Sequence, residues 1–212
     1  MGNDEATQAL SRKERERLAH RREILDAAER VFARNGYRGA TVEQIAQEAE
    51  FAVGTLYNFF KGKDELYEEV IASLVEEALA RLREQVLSEA DPVKAVEALV
   101  ELRVAILDEH KGFARVVFQT PTAELGDASL ALPPRCLAAI QEAQTAFTAV
   151  LERGIAAGVF VDIGAADLAV SLQGILNAFI AQWLREEPHE APAERVARLR
   201  ATVLGLILRK TS

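Results

Sequence analysis

Apolar residues recur along this chain at intervals of three and four, the spacing of one buried face on successive α-helices. Leu18, Ile24, Leu25, Ala28, Val31 and Phe32 form the first stripe, and Asn35-Gly36 after it predicts a left-handed cap that stops the first helix. Thr41 opens a second helix of about two turns: its hydroxyl can accept from the Gln44 amide, while the Gln44 side chain reaches back to the Thr41 amide. Glu50-Phe51-Ala52 reads as a turn, a third helix is predicted from about Val53 to Phe59, and Gly62 breaks it.

Asp64 and Glu65 sit where carboxylates favour a helix N-terminus, opening a long helix striped by Leu66, Val70, Ile71, Leu74, Val75, Ala78 and Leu82. Asp91-Pro92 starts the next helix, Lys111-Gly112 ends it, and a short helix follows from Phe113 to about Gln119. Pro121 to Pro134 reads as the longest loop. Further helices are expected from about Arg135 to Ala157, Ala165 to Glu186 and Ala193 to Arg209. Neither a strand pattern nor an internal repeat appears, so the fold class is all-α with about nine helices.

Half of the 212 residues are apolar, enough for a sizeable core. The lone Cys136 cannot form an internal bridge, and the N-terminus is polar and acidic without a charged-then-apolar leader, so a cytoplasmic protein is expected. The uncharged run Leu168 to Leu184 spans 17 residues and includes Ser171, Gln173, Asn177 and Gln182, too short and polar for a bilayer span. Net charge is −8, but unevenly spread: Arg12 to Lys63 carries +3 and the remainder −11. That asymmetry suits a nucleic-acid-facing N-terminal part on an acidic body.

A helix that reads DNA needs a partner packed across it. Ile45, Ala46, Ala49, Phe51 and Leu56 can fill the inside of the pair, while Thr41, Gln44, Val53, Gly54, Thr55, Tyr57, Asn58, Lys61 and Lys63 are the candidate DNA-binding residues. The short third helix would meet the major groove by its N-terminal end, where Gly54 permits close approach and Thr55 can touch a base. Flanking hydroxyls and lysines would hold phosphates.

Residues Arg22 to Leu66 resemble the N-terminal domain of the TetR family of transcriptional regulators. The resemblance rests on Ile24-Leu25, Ala27-Ala28, Phe32, Gly36-Tyr37, Thr41-Val42, Ile45-Ala46, Ala49, Gly54-Thr55-Leu56-Tyr57, Phe60, Lys63 and Leu66. It implies that Thr41, Tyr57 and Lys63 contact phosphate and that bases are read from Ala52 to Asn58. It also implies a domain order: a flexible arm over 1–17, a helix-turn-helix domain over 18–63, and a ligand-binding and dimerisation domain over 64–212. Three positions depart from the family pattern. Phe59 stands where Tyr or His is frequent, Ala52 replaces a frequent Ser and forfeits an N-cap worth ~1 kcal/mol, and Glu50 occupies a turn position where Gly is common. Arg12, Lys13, Arg15, Arg17, Arg21 and Arg22, interleaved with Glu14, Glu16 and Glu23, suit either phosphate contact or i,i+4 ion pairing.

Beyond Lys63 the sequence predicts a dimer and a pocket. Leu168, Leu172, Ile175 and Phe179 on the penultimate helix, with Val196, Leu199, Val203 and Leu206 on the last, are the candidate dimer interface, a four-helix arrangement about a two-fold axis. Phe113, Phe118, Phe147 and Trp183 are candidate apolar walls of a ligand pocket, with Arg103, His110, Gln119, Gln144, Gln173 and Asn177 as its polar groups. Asp108-Glu109-His110 reads as a charged helix end rather than a metal site, and no nucleophile elbow, dinucleotide fingerprint, P-loop or zinc spacing is present. No catalysis, cofactor or metal is expected. The expected function is a homodimeric repressor released from an inverted-repeat operator in double-stranded DNA by a small apolar or amphipathic effector, with no membrane partner. The alternative is a DNA-bound interaction protein that recruits a partner and has no small-molecule pocket.

Overall fold

In the computed structural model, which describes residues 11–118, 132–186 and 190–209, the chain divides into two units after Ile71. The first unit opens on α1, Arg12–Gly39. Ser11 caps it: the Glu14 amide donates to Ser11 Oγ at 3.3 Å and Glu14 Oε2 accepts from the Ser11 amide at 2.8 Å. Residues 12–17, expected in a flexible arm, are therefore helical; residues 1–10 lie outside the described residues. Gly36 interrupts α1 at φ 67°, ψ 170°. Its φ is positive as anticipated, but its ψ is extended, so the break is a kink followed by a last turn to Gly39 rather than a left-handed cap.

α2 runs Val42–Glu48 and α3 Val53–Tyr57, the latter two residues shorter than expected because the Phe59 and Phe60 amides both fold back onto the Leu56 carbonyl, at 2.9 Å each. α4, Lys63–Leu82, contributes Leu66, Val70 and Ile71 to the first unit. These are buried, as are Ile24, Ala28, Phe32, Ile45, Ala46 and Leu56 of the same unit. Arg30 and Arg34 of α1 donate to Glu48 of α2 at 2.8 and 2.5 Å, and these two guanidiniums, Arg34 foremost, hold the Glu48 carboxyl down to about 2.

The second unit takes up α4 from Ala72 and continues through a π-helical turn, Arg83–Leu87. α5, Pro92–Glu109, starts where Asp91 Oδ1 accepts from the amides of Val93 and Lys94, at 2.8 and 3.3 Å. Then follow α6 (Lys111–Phe118), α7 (Pro134–Ala156), α8 (Ala165–Glu186) and α9 (Pro192–Ile207). The chain is all-α: nine α-helices and no strand are found among the described residues, apart from one isolated bridge between Phe160 and Leu208. Most of the expected 121–134 loop lies outside the described residues, as do 187–189. No helix among the described residues is long and apolar enough to cross a membrane.

Two devices organise this unit. After α7 the chain turns so that Val161 N donates to Ile207 O at 2.8 Å and Arg209 N to Val159 O at 3.0 Å, pressing the buried Phe160 ring onto Gly154. A Cβ there would lie 2.2 Å from two ring carbons. On the other side, Arg195 of α9 is only 6% exposed; its Nη2 donates to both oxygens of Asp108 at 2.6 and 2.7 Å, and its guanidinium lies 5.6 Å from the Trp183 ring centroid.

Candidate nucleic-acid interface

The anticipated capping box at the start of α2 is present. Thr41 Oγ1 accepts from the Gln44 amide at 3.3 Å, and Gln44 Oε1 accepts from the Thr41 amide at 3.1 Å. Asn35 Nδ2 also donates to Gln44 Oε1, at 3.1 Å, tying the α1 terminus to the cap. The Thr41 hydroxyl proton is not consumed by the cap; it is given to the Glu43 carboxylate, which the Glu43 amide first and this bond second hold below its ordinary value. A solvent-open depression of about 510 Å³ adjoins this end of α2, lined by Val31, Arg34, Asn35, Gln44, Gln47 and Glu48. Its lining is polar, unlike that of an enclosed ligand pocket.

Between α2 and α3 the turn is held by the Phe51 amide donating to the Ala46 carbonyl at 2.9 Å. Glu50 takes φ 60°, the sole non-glycine residue with positive φ among those described. The position where the family favours glycine is thus one that L side chains adopt at a cost. Glu50→Gly is expected to raise stability by about 1 kcal/mol, the relief of strain outweighing the glycine entropy term. Urea unfolding followed by circular dichroism measures it; a lowered midpoint would mean that the Glu50 side chain makes a compensating contact.

Ala52 precedes α3 with no side-chain cap, as its departure from Ser implied. Thr41, Gln44, Gly54, Tyr57, Asn58 and Lys61 are exposed, Tyr57 at 53%, and Val53, Thr55 and Lys63 are half-buried. A Cβ on Gly54 would meet nothing within 4 Å, so packing within the chain does not require glycine there.

Lys63 is already engaged. Its Nζ donates to the carbonyls of Tyr37 and Ala40 at 3.0 and 3.1 Å and lies 4.7 Å from the Tyr37 ring centroid. Two of its three protons are committed, and one remains for an outside acceptor. Tyr37 in turn donates its hydroxyl to Asp64, a bond that with burial pushes its phenol up from the ordinary value. Tyr37 and Asp64 support the site in a role that was not anticipated; Asp64 adjoins the lysine in the sequence, whereas Tyr37 stands 26 residues before it and no local signal links the two.

The basic run makes ion pairs and guanidinium–ring contacts within the chain. Arg12 pairs with Glu16 at 2.8 Å, Arg21 pairs with Glu69 and lies 5.2 Å from the Phe60 ring, and Arg17 lies 5.8 Å from the Phe59 ring. Phe59, the departure from Tyr or His, thus serves as a seat for a guanidinium.

In the second unit the candidate residues separate. Leu168, Leu172, Leu199 and Val203 are at most 2% exposed within their own chain. This corrects their assignment to a dimer interface: a side chain already sealed in its own core has no surface left to bury on a partner. Ile175, Phe179 and Val196 are half-buried, and Leu206 is 60% exposed. Phe113, Phe147 and Trp183 are buried. Arg103 donates to Asn177 at 2.7 Å and Gln173 to the same oxygen at 3.1 Å, so these three polar candidates do converge. Gln144 is exposed on α7 beside Thr145, while Phe147 faces in. Gln119 and the Phe118 side chain lie outside the described residues. His110 caps α5 and, with Glu77 and Glu109, forms a cluster whose ligand atoms lie within 4.8 Å of one another. Arg81 sits in that cluster, donating to Glu109 at 2.5 Å and to Glu77 at 3.5 Å, and so supplies its positive charge.

Comparison with known proteins follows the same division. Residues 24–70 match the family model described as bacterial regulatory proteins, tetR family. Over 88 residues the chain is 34% identical to the transcriptional repressor KstR2 of Rhodococcus jostii, covering 42% of this chain and 43% of that one. The chain thus matches less than half the length of such curated relatives. Among solved structures, the ketosteroid transcriptional regulator KstR2 of Mycobacterium tuberculosis superposes with a TM-score of 0.70 at 25% identity, covering 90% of this chain and 95% of that one. The TetR-family regulator PfmR of Thermus thermophilus gives 0.70 at 23% identity over 88% and 99%, a likeness of fold. These relatives are transcriptional regulators and not enzymes. Residues 24–70 thus form an N-terminal domain of the kind found in the tetR family of bacterial regulatory proteins.

Proposed function

We propose that the protein is a homodimeric, sequence-specific repressor that binds an inverted-repeat operator and leaves it when a small apolar or amphipathic ligand binds the second unit. The observation that carries the DNA-binding reading is the helix pair α2–α3, with a capping box at the start of α2 and Thr41, Gly54, Tyr57, Asn58 and Lys61 all turned to solvent. Phosphate is held by Thr41, Tyr57, Lys61 and the remaining proton of Lys63; Thr55 and its neighbours on α3 read bases. The named relatives support repression, and a ligand acts through a difference in affinity between two conformations.

The dimer forms on the outer surfaces of α8 and α9. Val170 is 72% exposed and is followed at four-residue steps by exposed Gly174 and Ala178; on α9, Ala201, Gly205 and Leu206 are exposed. Small residues at that spacing let two helices approach closely, and large exposed apolar side chains need covering. Two-fold pairing of this face would place two copies of α3 on successive half-sites.

Fluorescence anisotropy with promoter fragments from the source genome tests the reading; binding no tighter than to random duplex would sink it. Tyr57→Ala is expected to weaken binding to operator and random DNA alike, and Lys61→Ala to lower the salt slope by about 1. Thr55→Ala is expected to cost roughly 1–3 kcal/mol on the operator and to relax base preference. Equal losses on both DNAs for Thr55→Ala would assign it to the phosphate contacts.

A further inference from the structure

Arg103 lies in mid-α5, where neighbouring Val100, Leu102, Val104 and Leu107 are all buried. Its Nη2 donates to Oδ1 of Asn177 on α8 at 2.7 Å, and its Nε is sealed from solvent without an acceptor. The same amide oxygen accepts from Gln173 Nε2 at 3.1 Å. Exposed Gln173, half-buried Asn177 and the inner guanidinium thus form a file joined through one amide oxygen. Two donors share one neutral oxygen, and no carboxylate among the described residues pairs with the charge. Burial accordingly pushes the guanidinium below its ordinary value, with no ion pair to hold it up.

The chain meets the same problem differently elsewhere. Arg195, more deeply buried than the half-buried Arg103, has both oxygens of Asp108 within 2.7 Å. A buried guanidinium without such a partner is an unfavourable arrangement that an incoming anion relieves.

We propose that Arg103, Asn177 and Gln173 are the head-group site for an amphipathic anion, a carboxylate or phosphate carried on an apolar body. The oxyanion accepts from Arg103 and Gln173, and the body lies along apolar side chains of the surrounding core. The inference rests on the ligand-responsive reading above and names the ligand's charge. Bidentate, charge-assisted bonding makes the guanidinium selective for oxyanions over uncharged heads.

Trp183 is the chain's sole tryptophan and stands six residues, about 9 Å, along α8 from Asn177, so its emission can report occupancy. Full-length protein is titrated with dodecanoate, dodecyl phosphate and dodecanol below their micellar concentrations, with calorimetry as a second readout. At least one anion is expected to bind about tenfold or more tightly than the alcohol. Arg103→Met, which keeps apolar volume, abolishes that preference, and Arg103→Lys keeps part of it. Circular dichroism verifies that both variants are folded. The proposal is overturned if the alcohol binds as tightly as both anions, if none of the three binds, or if Arg103→Met retains the preference. It is also overturned if Arg103→Met changes only the dimer dissociation constant in sedimentation equilibrium, which would assign the missing anion to a second copy of the chain. Arg103-dependent anion binding that leaves a promoter fragment bound supports this site while refuting regulation through it.

Discussion

Asp108→Ala is expected to destabilise the second unit by about 3 kcal/mol or more, the range for stranding a buried charge. Arg195 is 6% exposed and its Nε already lacks an acceptor, so removing Asp108 takes away both of its charge-assisted bonds at once. The Trp183 ring face alone is left to stabilise the cation, a contribution of the order of 1–2 kcal/mol when desolvated. Asp108 itself is 28% exposed, which sets the loss at the lower end of that range. The double variant Asp108→Ala, Arg195→Met is expected to recover most of the loss, because the penalty belongs to the unpaired charge and not to the missing pair. Urea titrations of the three variants measure both terms; equal midpoints for the single and double variants would refute this account.

Gly154→Ala is the second large effect. The added methyl would lie 2.2 Å from two carbons of a Phe160 ring that is 1% exposed. Neither side can yield easily. The ring is enclosed by core, and its backbone is fixed by Val159 and Phe160 amides bonding the Gly154 carbonyl at 3.0 and 3.2 Å and by the pairing with residues 207 and 209. Overpacking usually costs about 1–3 kcal/mol, and this site belongs at the top of that range. Trimming the ring supplies the check: in a Phe160→Leu background, Gly154→Ala is expected to cost roughly half as much. A full, undiminished loss would locate the strain in the backbone instead of the ring.

Neither effect is legible in the linear sequence. Arg195 and Asp108 stand 87 residues apart, and no local pattern links them. Gly154 reads as an ordinary helix-weakening glycine, since only the returning Phe160 explains it. The helix-turn-helix, by contrast, is written in short-range chemistry: Thr41 and Gln44 cap α2, and Ala52 leaves α3 without a side-chain cap. The sequence Ser11-Arg12-Lys13-Glu14 carried the same kind of capping signal, obscured by the run of charge around it. Periodicity located the stripes on α8 and α9 but could not say what covered them. Leu168, Leu172, Leu199 and Val203 repeat as a partner seam would, yet α5 and α7 of the same chain supply the covering surface, while Val170 and Leu206 on other faces stay bare. Gln144 shows a related effect: three residues from Phe147 is still a turn of up to 60° on a helix, enough to carry a side chain from core to solvent.

The lysine at the head of α4 has a kinetic and entropic meaning as well as a structural one. A surface lysine ordinarily samples many rotamers and loses that freedom, up to about 2 kcal/mol, when it is immobilised on a partner. Lys63 has lost it on folding, because the Tyr37 and Ala40 carbonyls already hold its ammonium against the Tyr37 ring. A phosphate arriving there meets a donor that is aimed before contact, so the contribution of Lys63 falls on how long the complex lasts more than on how often it forms.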